Sequence, residues 1–73
     1  MSDKQLALDA FTSAQKDRLA KAYSAYVEAF IASEGQAEAA TLRQQATQRL
    51  KTGLNILKVV HEAAQTVVGE VFP

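Results

Sequence analysis

The chain has no cysteine, no tryptophan, one proline, one histidine and three glycines in 73 residues. Each scarcity removes a class of protein. Without cysteine there are no disulfides and no thiolate metal sites, and a single histidine cannot build the usual zinc cages. Gly35, Gly53 and Gly69 are widely scattered, whereas a phosphate-cradling loop needs several glycines at close spacing. Eight basic and eight acidic side chains leave no net charge, which argues against a generic polyanion binder. Charges interrupt every apolar stretch before a membrane-spanning length is reached. Met1-Ser2-Asp3-Lys4-Gln5 has no apolar leader, and no lipidation motif occurs. These absences lead us to expect a cytoplasmic protein with no membrane partner. Residues 1–73 make one small domain. A lone core of this size is marginal, so regular helix packing or oligomerisation must supply the rest.

What the chain does contain is helix formers. Alanine is the commonest residue, and glutamine, leucine, glutamate and the basic residues fill much of the remainder. No alternating strand pattern and no repeat of solenoid period is present. The expected fold is all-α. Ser2 followed by Gln5 has the form of a capping box, with Asp3 suited to the positive end of the helix dipole. A first helix is expected over about 3–34, stopped by a left-handed Gly35. A second is expected over about 37–68, ended by Gly69, with Glu70-Val71-Phe72-Pro73 as a short tail.

Gly53 lies inside the second helix, where glycine costs about 1 kcal/mol against alanine. The heptad pattern runs straight through it: Ala39, Arg43, Ala46, Leu50, Gly53, Leu57, Val60, Ala64, Val67 and Val71 alternate in steps of four and three. Gly53 therefore reads as a close-packing site within a continuous helix. The first helix has a matching seam through Leu8, Thr12, Gln15, Leu19, Ala22, Tyr26, Ala29 and Ser33. Folding back at Gln36 pairs Leu19 with Gly53, Ala22 with Leu50, Tyr26 with Ala46 and Leu8 with Ala64. Large meets small in each pair, as an antiparallel two-helix hairpin requires.

The apolar surface is wider than one hairpin buries. Phe11, Tyr23, Val27 and Ile31 on the first helix, and Ile56, Val67 and Phe72 on the second, lie on or beside the flanks of the seam. A second apolar stripe needs a second partner. We expect these seven residues to form a self-association interface that pairs two hairpins into a four-helix bundle as a homodimer, or a higher oligomer. Another protein chain is the rival occupant.

Catalytic and metal-binding patterns are weak. His61-Glu62-Ala63-Ala64-Gln65 resembles half of a helical zinc motif, but Gln65 stands where the second histidine is needed. Di-iron bundles need Glu-x-x-His, and Lys58 stands three residues before His61. No serine has a base at helical spacing. We expect no enzyme, no metal and no cofactor, and read His61 as an imidazole at the core edge bonded to a neighbour or to water. The charges are uneven, however. Lys16, Arg18, Lys21, Arg49, Lys51 and Lys58 gather at the hairpin's middle while acids collect towards its ends. A basic waist makes RNA or anion binding the alternative, ranked below a non-catalytic interaction module that acts as adaptor, regulator or assembly subunit.

Overall fold

The computed structural model describes residues 2–73. It contains two helices, α1 (Asp3–Ser33) and α2 (Ala39–Val71), packed against each other as a hairpin. No strand occurs among the described residues.

The ends of the helices follow from local chemistry. Ser2 is extended (φ −77°, ψ 157°), and its Oγ accepts from the Gln5 amide at 3.1 Å, which satisfies one of the unpaired first-turn donors. The reciprocal half of the capping box is not made, because the Gln5 side chain donates to Asp9 Oδ1 at 2.8 Å instead. At the other end, Glu34 (φ −58°, ψ 128°) and Gly35 (φ 75°) form a type II turn, closed by the Gln36 amide on the Ser33 carbonyl at 3.0 Å. Only glycine takes that positive φ without strain.

Helix α2 starts at Ala39, two residues later than the alanine-rich stretch suggests. A second tight turn, with the Ala39 amide on the Gln36 carbonyl at 3.2 Å, completes the chain reversal before α-helix can begin. The geometry of reversal outweighs the propensity of Ala37. At its far end α2 runs through Gly69 to Val71. The Phe72 amide closes the last turn on Val68 at 2.8 Å, and the Phe72 ring is half-buried.

The seam is not a strict heptad. On α2 the expected line fades outward along its length: Ala46 is 5 % exposed, Val60 45 % and Val67 56 %. Leu57 and Ala64 of that line stay half-buried, but in the outer half Leu54, Val68 and Phe72 are half-buried in place of Val60 and Val67. A straight helix of 3.6 residues per turn drifts about 20° per heptad, so a heptad line that faces its neighbour at one end rotates away at the other. On α1, Phe11 is half-buried where Thr12 was expected, while Leu19 stays at the rim.

Two helices alone make a long, thin molecule. The Cα extents are 55 × 19 × 7 Å and the radius of gyration is 16.9 Å, against about 11 Å for a compact domain of this length. The accessible surface is 5652 Å², whereas a compact protein of 7.9 kDa exposes about 4,400 Å².

Candidate interaction surfaces

Among the described residues Ser33 and Ala46 are the buried ones, and both lie near the turn. There the Ser33 hydroxyl donates to the Phe30 carbonyl at 2.7 Å and accepts from Arg43 Nε at 3.0 Å. The Arg43 guanidinium lies over the Phe30 ring, 5.5 Å from its centroid. Phe30 in turn packs tilted on Tyr26 at 4.7 Å. Tyr26 and Thr47 share a hydrogen bond of 3.3 Å across the helices, while Thr47 Oγ1 donates to the Arg43 carbonyl. This clamp fixes the two helices beside the turn. Arg43 occupies a seam position in the heptad pattern, and that was its only trace in the sequence.

Towards the termini the contacts are looser. His61 is exposed, stacks on Phe11 at 5.6 Å and 29°, and shares a 3.0 Å hydrogen bond between Nδ1 and Gln15 Oε1. The imidazole thus has a neighbour for a partner, and no group of three histidine, cysteine or acidic residues suited to a metal occurs among the described residues.

Two long faces run along the hairpin, one on each side of the seam. On one, Thr12, Gln15, Lys16, Leu19, Leu54, Leu57, Lys58 and His61 line a groove of about 400 Å³. On the other, Arg18, Lys21, Ala22, Ala25, Gly53, Ile56 and Leu57 line a smaller one of about 260 Å³, continued by Tyr26, Ala29, Ala46, Arg49 and Leu50. These contacts support the pairing of Ala22 with Leu50 and Tyr26 with Ala46. The pairing of Leu19 with Gly53 is corrected: Leu19 meets Leu54 and Leu57 on one face, and Gly53 turns to the other. Nothing lies within 4 Å of where a Gly53 Cβ would stand. Gly53 is therefore not a close-packing site inside the hairpin, because helical drift has rotated it off the seam.

The seven residues expected to share one interface fall into three places. Phe11 and Phe72 are half-buried, and Phe11 stacks against α2. Tyr23, Val27 and Ile31 are exposed, on the Lys16 side of α1 by helical periodicity. Ile56 and Val67 are exposed on the opposite face, with Val60 between them. The six basic residues divide likewise. Arg18, Lys21 and Arg49 border one face, Lys16 and Lys58 the other, and Lys51 is exposed outside both grooves. They make no single patch.

This geometry defines a helical hairpin with open faces on both sides. No helix among the described residues is long and apolar enough to cross a membrane. No family model matches the chain, and neither the curated proteins nor the solved structures contain a match to it.

Proposed function

We propose that the chain is a non-catalytic interaction module, a hairpin that pairs with a second copy into a four-helix bundle and acts as an adaptor, regulator or assembly subunit. The observation that carries this reading is the surplus surface. Each chain exposes about 1,200 Å² more than a compact protein of its mass, and a stable dimer takes about 800 Å² or more from each partner. Much of the surplus is aliphatic: Ile56, Val59, Val60, Val67 and Val71 stand exposed along α2, and Tyr23, Val27 and Ile31 along α1. Each large side chain left in water forgoes about 1.5–3 kcal/mol.

Light scattering of the purified chain tests the reading. Twice the chain mass of 7.9 kDa, with a melting temperature that rises with concentration, supports it. A folded monomer with a concentration-independent melt removes it.

RNA or anion binding is the second reading, favoured by Arg18, Lys21 and Arg49 along one groove. It requires binding that falls steeply with salt and weakens on Arg49→Ala or Lys51→Ala.

A further inference from the structure

Gly53 poses a problem that the hairpin alone does not resolve. It sits mid-helix, at a cost in helix propensity, yet a Cβ there would meet nothing. Its position in the sequence supplies an answer. Arg49, Gly53, Ile56, Val60, Ala63, Val67 and Glu70 follow one another at alternating steps of four and three, a second coiled-coil line on α2 beside the one that faces α1. Helical drift has turned this line away from α1, and Ile56, Val60 and Val67 stand exposed along it.

The line is complementary to its own reverse about Val60, to within one residue of register. Reversed on itself, Val60 meets Val60, Ile56 meets Ala63, Gly53 meets Val67 and Arg49 meets Glu70. Off the axis each large residue finds a small one, and each charge finds its opposite. A parallel arrangement in register sets Gly53 on Gly53, Arg49 on Arg49 and Glu70 on Glu70, leaving a hole and two like-charge contacts. Resting on the self-association reading above, we propose that two copies pair antiparallel through the outer halves of α2, with the twofold axis at Val60 and the partner's Val67 filling the space over Gly53.

Helix α1 supports the same axis independently. The level of α1 beside Val60 is that of Phe11 and Thr12, which lie against His61. The twofold operation therefore reverses α1 about that level as well. Lys21 borders the Gly53 face, and Asp3 stands a whole number of turns away on the same line of α1. Asp3 and Lys21 are equally distant from Thr12, so each Lys21 comes to the level of the partner's Asp3. Both hairpins then contribute two helices to one four-helix core, a closed isologous pair.

The chain's lack of cysteine permits a direct test. Val60→Cys and Val27→Cys each place a thiol at an exposed position, the first on the proposed axis and the second on the opposite face. Under mild oxidation Val60→Cys forms a disulfide-linked dimer that keeps its helicity, and Val27→Cys stays reduced. Charge reversal provides a second readout. Arg49→Glu and Glu70→Arg each raise the dimer Kd about tenfold, since twofold symmetry applies each change twice, and the double variant restores it. A native dimer in which Val27→Cys cross-links as readily as Val60→Cys, or in which the double reversal restores nothing, overturns this interface while self-association stands. A native chain that sediments as a monomer at every concentration overturns both.

Discussion

The two ends of the hairpin are built differently. Beside the turn, the helices are joined by a buried serine, a buried alanine, an arginine over a phenylalanine ring and a tyrosine–threonine hydrogen bond. Towards the termini no side chain among the described residues is buried, and the cross-helix links are those of the exposed His61, its hydrogen bond to Gln15 and its stack on Phe11. The turn explains part of the contrast, because chain reversal forces the helices together there. Helical drift explains the rest. The line that carries Ala46 into the core carries Val60 and Val67 out of it. One end is finished by the chain's own residues, and the other leaves its aliphatic side chains exposed, where we propose that a second copy packs.

The largest effect is expected at the proposed dimer interface. Ile56→Glu places a charge on the open face of α2, abolishes association, and with it the helicity of the outer half. Ile31→Glu carries the same chemistry on the opposite face and leaves the mass of the assembly unchanged. Sedimentation velocity of the two variants compares them, and loss of the dimer by Ile31→Glu instead would place the interface on the wrong side.

Next comes the clamp. Arg43→Ala removes the donor to Ser33 and the cation above Phe30, and is expected to cost about 1–2 kcal/mol in denaturant unfolding. The loss should be similar at low and high protein concentration, because the clamp lies away from the proposed dimer interface. A loss seen only in the dimer would tie the clamp to assembly.

Gly53→Ala changes sign with concentration. In the dissociated hairpin it adds about 1 kcal/mol of helix propensity, since the added methyl meets nothing. In the proposed dimer the partner's Val67 fills that space, so the dimer Kd is expected to rise. A uniform gain at all concentrations would show Gly53 to be free in both states.

The smallest effect belongs to the cap. Ser2→Ala loses the bond to the Gln5 amide at a cost of about 0.5 kcal/mol, the low end for an N-cap. Fraying of the first turn of α1, seen by amide exchange, is the expected sign, with the turn end unaffected.

Much of the backbone was legible in the sequence and less of the surface. The helical composition, the reversal at Gly35 and the matched seams account for a two-helix hairpin. Periodicity also placed Tyr26 opposite Ala46 and His61 beside a neighbour. What it missed came from treating 3.6 residues per turn as if it were 3.5. Over one heptad the difference is trivial, but over the length of α2 it exchanges Val60 and Val67 for Val68 and Phe72. The same drift moved Gly53 from the seam to the open face. The expected interface set was split for a related reason: flanks on the two sides of a seam look alike in one helix, and become opposite faces only when the second helix is in place. The Ser33–Arg43 clamp was hidden because a serine and an arginine on a seam do not announce that they will meet. Their contact depends on the type II turn that brings residue 43 back beside residue 33.

Amide hydrogen exchange, resolved by residue at low and high micromolar concentration, tests the difference between the two ends most directly. Protection around Tyr26–Ser33 and Arg43–Leu50 is expected to be the same at both concentrations, while protection from Gly53 to Val71 rises steeply as copies pair. Equal protection of the outer half of α2 at both concentrations, in a chain that stays monomeric, would contradict the claim that this half is completed by a second copy.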